Sequence, residues 1–279
     1  MRHPEWIRVS LAGRHDTKKI LRSHGVSTVC EEARCPNQGK CFSESTATFM
    51  ILGDRCTRNC GFCAVAKSVP LPVDLHEPEK VAGAAAELGL KYIVITSVTR
   101  DDLIDGGALQ FSKVISAVRK LGDSVKIEVL TPDFQGSLES LKIVLDAQPD
   151  VFNHNMETVR RLYPTVRPMA DYALSLEILR QASAIAPAIK TKSGIMLGLG
   201  ETESEVLRVM QDLRDAHCDY LTIGQYLRPR KANLSIVEYI RPEVFEQYKV
   251  RGLDMGFLNV ASSPLTRSSM DAGKMYENV

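Results

Sequence analysis

A chain of 279 residues, 44% hydrophobic and 25% charged, is long enough for one large domain with a substantial core. A formal net charge of +1 provides no global field to recruit nucleic acid or an anionic membrane. No apolar run approaches the ~20 residues needed to cross a bilayer, and the opening MRHPEWIRVSLAGRHDTKKI carries no apolar signal segment. The expectation is a reducing, cytoplasmic setting (mitochondrial if a transit peptide has been removed), with neither nucleic acid nor membrane as a partner.

Taken in chain order, the first feature is a cluster of cysteines. Six of the seven fall between Val29 and Cys63, as Cys30, Cys35 and Cys41 with C-x4-C-x5-C spacing and Cys56, Cys60 and Cys63 with C-x3-C-x2-C spacing. A disulfide framework is normally even-numbered, dispersed and extracellular. Structural zinc wants four ligands, commonly as separated C-x2-C pairs. Three close thiolates per site fit iron–sulfur clusters better, each cluster keeping one iron for a different ligand.

The next stretch, TFMILG at 48–53, reads as a buried strand, with the second triplet just past its end. Beyond it, helix-like and strand-like segments alternate. EPEKVAGAAAELGL at 77–90 is a helix with Pro78 near its start and Gly89 near its stop. KYIVITS (91–97), VKIEVLT (125–131), DVFNHN (150–155), AIKTKSGIML (188–197) and DYLTIGQ (219–225) are strands, and helical stretches separate them. Thr202 and Glu205 have capping-box spacing at one helix start. GLGETESE (198–205) lacks phosphate-loop spacing and is expected to shape a turn facing a cofactor. Six β/α units with nearly continuous apolar strands predict α/β architecture: a parallel sheet forming a partial (β/α)6 barrel.

In such folds the working residues sit at the carboxyl ends of strands. Those ends read TSVTRDDLIDGG, EVLTPDF, NHNMETV, KSG and GQYLRP, five polar clusters on one rim. Any one of them is explained by solvent at a strand end; five together predict a site. His154 is the one histidine on the rim, and Cys218, in AHCDY, is expected to be a small buried apolar residue.

The CTRNCGFC segment after the first strand resembles the cluster motif of radical S-adenosylmethionine enzymes. CEEARCPNQGKC and RSSM (267–270) resemble the auxiliary-cluster motif and C-terminal Arg-Ser-Ser-Tyr of the lipoyl synthase family. TSVTRDDLIDGG, EVLTPDF, NHNMETVRRLY, KSGIMLGLGET and TIGQYLRP extend that resemblance over the whole chain. It implies two [4Fe–4S] clusters, one on Cys56, Cys60 and Cys63, the other on Cys30, Cys35, Cys41 and Ser269. It also implies S-adenosylmethionine as cosubstrate, chelating the open iron of the first cluster and yielding a 5′-deoxyadenosyl radical. The reaction implied is insertion of two sulfurs, drawn from the auxiliary cluster, at C6 and C8 of an octanoyl chain on a lipoyl carrier domain. Carriers would be a 2-oxoacid dehydrogenase E2 or a glycine cleavage H protein, with ferredoxin or flavodoxin as electron donor and a separate cluster-repair protein. Unactivated C–H bonds demand a radical cofactor, since no protein acid or base removes such hydrogens.

Phe62, Ser97, Asp101, Asn155 and Lys192 are the expected cofactor-binding residues, Asp101 for a cationic or hydroxyl group and Lys192 for a carboxylate or a neighbouring acid. The organisation expected is an N-terminal extension at 1–47, the barrel at 48–260 and a tail at 261–279, integrated as one domain. The chain departs from the family pattern at Met270, where Tyr is usual, at Ser263, where Gly is usual, and over RKANLSIVEY (230–239). Two competing readings are a biotin synthase-like enzyme acting on a free small molecule and a non-catalytic electron carrier or cluster scaffold. The first would lack the N-terminal triplet and the Arg-Ser-Ser tail, and the second would not cleave adenosylmethionine.

Overall fold

The computed structural model describes residues 4–8, 15–43 and 47–277. The remainder of the expected 1–47 extension, and residues 278–279 of the tail, lie outside the described residues. Among the described residues ten strands are formed: β1 Ser27–Thr28, β2 Thr48–Ile51, β3 Arg55–Cys56, β4 Ala66–Lys67, β5 Tyr92–Ser97, β6 Lys126–Leu130, β7 Val151–Asn153, β8 Lys190–Leu197, β9 Tyr220–Gln225 and β10 Asn259–Ser263. Eight of them make one sheet in the order β1-β2-β5-β6-β7-β8-β9-β10, and β3 pairs with β4 apart from it. Every neighbouring pair in the large sheet is parallel except β1 with β2. The two edges, β1 and β10, do not pair with each other, so the barrel stays open.

The six expected strands are all present in the large sheet, and its other two were not foreseen, nor was the β3–β4 pair. β10, whose NVASS is short and polar, joins β9 in parallel, and the two-residue β1 caps the other edge. Because β10 runs from Asn259 to Ser263, it crosses the expected boundary between barrel and tail.

Alternation along the strands gives the sheet two different faces. Ile93 and Ile95, Ile127 and Val129, Phe152, Leu221 and Ile223, and Val260 pack into the main core, together with apolar residues of the intervening helices such as Val81, Val114, Val144 and Val209. The other face is mixed. At its amino end, Val151 and Tyr220 pack with Met275 of the C-terminal helix Ala272–Glu277. Beside them lie Glu128, Asn153 and Lys192, and further along Gly194, Thr222 and Gly224. Apolar strand positions on both faces are what a parallel sheet covered on both sides requires. Here the second cover is the tail itself.

The helices start and stop where the sequence predicts. Pro78 lies in the first turn of Glu77–Glu87, which ends at Leu88 before Gly89 with φ 64°. Thr202 accepts from the Glu205 backbone N–H while Glu205 returns a bond to the Thr202 N–H at 2.9 Å, completing the box at the start of Glu203–Asp215.

Candidate active site

The second cysteine triplet is held by its loop on several sides. Leu52 (φ 66°) and Gly53 (φ 90°) turn the chain out of β2 through the left-handed region, and the β3–β4 ladder closes the loop between Cys56 and Ala66. The Gly61 N–H donates to the Val166 carbonyl at 2.9 Å, and Lys67 Nζ donates to the Cys60 carbonyl at 3.0 Å. Arg58, between the first two cysteines, is 7% exposed and makes two forked ion pairs. Its Nε and one terminal nitrogen reach Asp101 at 2.8 and 2.9 Å, and its terminal nitrogens reach Asp133 at 2.6 and 2.7 Å. The loop is thereby tied to the ends of β5 and β6. Burial is the largest influence on the Asp133 carboxyl and acts upward, but the Arg58 hydrogen bonds and the nearby positive charges outweigh it and hold the group down to about 2.

Asn233 completes the anchoring, donating to the Gly61 and Cys63 carbonyls at 3.1 and 2.9 Å, while the Leu234 N–H donates to Gly61 at 3.1 Å. The 230–239 segment, where the chain departs from the family pattern, is therefore part of the cluster loop's support. No motif in RKANLSIVEY signals this, because the contact spans 170 residues of sequence.

The first triplet lies on two short helices, Val29–Glu32 and Gln38–Ser43. Thr28 caps the first. Asn37, inside the motif, donates to the Leu265 carbonyl at 2.6 Å and to the Met270 sulfur at 2.9 Å. It thus grips both ends of the Arg-Ser-Ser segment and brings Ser269 to the cysteines. Met270, where the family has Tyr, supplies a sulfur acceptor to this grip.

A cavity of about 340 Å³ opens between the two triplets. Cys56, Cys60, Cys63 and Phe62 line one side, and Cys30, Cys35 and Ser269 another. Cys41 stands on a second cavity, whose wall also includes Ser269. All seven cysteines are thiols without disulfides. Burial raises Cys30 to about 12 and Cys63 to about 11, and also raises Cys60, so iron has to displace a proton from each of these. Among the described residues no three His, Cys, Asp or Glu side chains converge on a single ion. In an iron–sulfur cluster each thiolate meets its own iron, so the triplets are judged by what they face together.

The carboxyl ends of β5 to β9 and the tail complete the wall. At those of β5, β6 and β7 the Ser97 and Thr131 hydroxyls, His154 Nε2 and Asn155 Oδ1 are buried with no partner among the described residues. Buried polar atoms are nearly always satisfied, so four unpaired ones on one cavity fit a polar ligand. His154 Nδ1 is 2.9 Å from the Thr131 carbonyl and has to donate to it, which leaves Nε2 as an acceptor. Burial, then the charge of Arg167, lowers that imidazole to about 4, so it is neutral at pH 7.

Three of the five expected cofactor residues, Phe62, Ser97 and Asn155, line the cavity, and two do not. Asp101 is taken by Arg58. Lys192 is 1% exposed and pairs with Glu128, which is 0% exposed, at 2.9 and 3.0 Å. The reason is position along the strand. β8 runs on to Leu197, so the KSG segment is not its end, and Lys192 sits two residues, roughly 6.5 Å, before Gly194 at the cavity. Of its two expected partners, the neighbouring acid is the one it meets. The 198–205 turn also departs from expectation: Gly198 accepts from the Val237 N–H at 2.9 Å, and the turn packs against 237–238 rather than facing the cavity. Cys218 is fully buried, as expected.

Glu157 was not foreseen. It lines the cavity with a left-handed φ of 65°, and accepts from Asn155 Nδ2 at 3.0 Å. Burial raises its carboxyl, while Arg167, Asn155 and Arg267 oppose the shift. Strain of this kind in a non-glycine residue clusters at functional sites, but the dihedral is invisible in NHNMET.

Residues 50–213 match the Radical SAM superfamily. The chain is 53% identical to a lipoyl synthase of Alkaliphilus metalliredigens over 279 residues, 99% of this chain and 96% of the relative. It is 53% identical to one of Caldanaerobacter subterraneus over 98% of this chain and 96% of that one. This chain belongs to the lipoyl synthase family. A third member, from Rubrobacter xylanophilus, is 51% identical over 99% of this chain and 87% of its own. Solved structures share the fold at low identity. Streptococcus suis SuiB bound to S-adenosylmethionine has a TM-score of 0.60 at 11% identity, covering 80% of this chain and 52% of its own. The Escherichia coli coproporphyrinogen III oxidase HemN, a radical SAM enzyme, has 0.55 at 13%, covering 74% and 52%. Membership of the radical SAM superfamily brings S-adenosylmethionine and a [4Fe–4S] cluster. No described helix is long and apolar enough to cross a membrane.

Proposed function

We propose that this enzyme inserts two sulfur atoms at C6 and C8 of an octanoyl chain carried on a lipoyl carrier domain, using two [4Fe–4S] clusters. One observation carries the reading: Cys56, Cys60 and Cys63 face Cys30, Cys35 and Ser269 across one cavity, whose wall also holds four polar atoms without a partner among the described residues. When bound, the cluster on Cys56, Cys60 and Cys63 supplies the electron that splits adenosylmethionine, and the cluster on Cys30, Cys35, Cys41 and Ser269 supplies the sulfur.

The protein's own part is placement. Arg58 and Asn233 fix the loop whose Cys56, Cys60 and Cys63, the residues that would hold the radical cluster, line the cavity. Ser97, Thr131, His154 and Asn155 offer hydrogen bonds to the cosubstrate's hydroxyl, ammonium and carboxylate groups, and Glu157 places a carboxyl oxygen beside Asn155. The largely apolar remainder, including Phe62, Val98, Leu130 and Ile195, suits an aliphatic chain and keeps water from a reactive carbon. Holding carbon and sulfur in line is where such a site gains rate. Ser269 is a hard oxygen ligand among soft thiolates, a weak corner suited to a cluster that gives up its sulfide. The octanoyl carrier is a 2-oxoacid dehydrogenase E2 or glycine cleavage H protein, electrons come from a ferredoxin or flavodoxin, and a repair protein rebuilds the spent cluster.

The test compares two variants of anaerobically loaded protein. Changing Cys56, Cys60 and Cys63 together to Ala should abolish 5′-deoxyadenosine formation yet leave the N-terminal iron in place. Ser269→Ala should still form 5′-deoxyadenosine but yield no lipoyl product from an octanoylated carrier. Lipoyl product at the parent rate from Ser269→Ala would remove that residue from the cluster, and surviving cleavage in the triple variant would sink the cluster assignment.

A further inference from the structure

Ser268, beside the proposed iron ligand, faces the other site. Its hydroxyl accepts a hydrogen bond from Asn155 Nδ2 at 2.7 Å, and the same nitrogen donates to Glu157 Oε1 at 3.0 Å. The amide therefore turns its nitrogen toward Glu157 and Ser268. Asn155 Oδ1 is then left buried and unpaired, on a residue that lines the cavity. The backbone there is fixed, because Arg167 donates to the Asn155 carbonyl at 3.0 Å.

The tail reaches this position because β8 and β9 have no side chains in its path. A Cβ on Gly194 would stand 3.2 Å from the Ser268 hydroxyl and 2.9 Å from Asn155 Oδ1, and one on Gly224 would stand 2.1 Å from the Thr266 carbonyl oxygen. Ser269, the next residue, lines the cavity with Cys30 and Cys35. Arg267, the residue before, lines the same cavity. Three consecutive tail residues thus line the site, with Ser268 bonded to Asn155.

We propose that Ser268 is a positioning residue that holds the Asn155 amide ready for adenosylmethionine and makes that readiness depend on the N-terminal cluster. The inference rests on the cosubstrate site and the Ser269 ligation proposed above. While Ser269 is tied to iron, the tail is seated and Asn155 Oδ1 faces the ligand. Once the cluster is dismantled, the tail loosens, the amide loses one of its two anchors, and the cosubstrate is held less tightly. Coupling between sites is reciprocal, so bound adenosylmethionine in turn steadies the tail over the N-terminal cluster.

The experiment is equilibrium dialysis of labelled adenosylmethionine against anaerobically loaded protein, with iron at the radical site counted in every sample. Four proteins are compared: the parent, Ser268→Ala, the Cys30/Cys35/Cys41→Ala triple variant, and their combination. Loss of one hydrogen bond predicts about fivefold weaker binding in Ser268→Ala. A similar loss is expected in the triple variant, and no further loss in the combination, the non-additivity of residues acting through one link. Ser268→Thr, which keeps the hydroxyl, should restore the parent affinity. Parent affinity in Ser268→Ala, or losses that multiply in the combination, would overturn the coupling while leaving the cosubstrate site standing. Parent protein that carries radical-site iron yet takes up no adenosylmethionine would overturn the site itself, and the coupling with it.

Discussion

Arg58 shows how one side chain can hold a reactive loop without taking part in its chemistry. A guanidinium forked onto two carboxylates fixes geometry in a way a lysine could not. It also makes folding sensitive to acid. The Asp133 carboxyl lies at about 2 in the folded protein and at about 3.9 in an unfolded chain. A depressed carboxylate stabilises the fold above the unfolded value, and that contribution is lost as pH falls through the folded one. The loss therefore falls between about pH 4 and pH 2 and amounts to roughly 2 kcal/mol. Asp133→Asn should lower stability at pH 7 and flatten that part of the acid-unfolding curve, read by circular dichroism; an unchanged curve would place the acid sensitivity elsewhere. Lys192 gives a second case. Lys192→Met leaves Glu128 buried without its cation and should cost about 3–5 kcal/mol in urea unfolding. Because the pair lies below the cavity, affinity for adenosylmethionine should be unchanged, and a large drop would restore Lys192 to the cofactor site.

Among the elements, β9 and the tail depend on each other most directly. Gly224 faces the Thr266 carbonyl so closely that any side chain has to push the tail away. Gly224→Ala is expected to unseat Ser269 while sparing the loop at Cys56–Cys63, which is anchored by Arg58 and Asn233. Iron per chain should fall from about eight toward about four, with 5′-deoxyadenosine still formed. Iron analysis beside a cleavage assay checks this, and a full iron complement would show that the tail yields without losing its grip.

For the molecule as a whole, the C-terminal helix completes the core that the open sheet leaves uncovered. Met275 packs on Val151 and Tyr220, the Tyr276 and Tyr92 ring centroids are 6.0 Å apart, and Asn259 donates to the Met275 carbonyl at 3.1 Å. Ending the chain at Pro264 removes this cover and, with it, about 2–4 kcal/mol of apolar burial. In a chain this size, that predicts a fall in Tm of roughly 3–7 °C, measured by calorimetry. A truncated chain that melts with the parent would make the helix an ornament of the fold.

The sequence alone determined the features that are local or periodic. Strand runs, helix starts such as Thr202 with Glu205, and both cysteine spacings are written within a few residues of one another, and local chemistry reads them out. The cavity residues Phe62, Ser97 and Asn155 were legible too, because in a β/α fold the ends of apolar runs mark the rim. Only the tertiary structure could decide which rim residues were already engaged, as Asp101 is by Arg58 and Lys192 by Glu128. It also decided that RKANLSIVEY braces the loop at Cys60–Cys63, that Glu157 is held in a left-handed conformation, and that Ser268 bonds Asn155. The physical reason is the same each time. A side chain's partner is chosen by which strand lies beside it and by where the tail crosses the sheet, and those neighbours are brought together across as many as 233 residues of chain, as Asn37 and Met270 are.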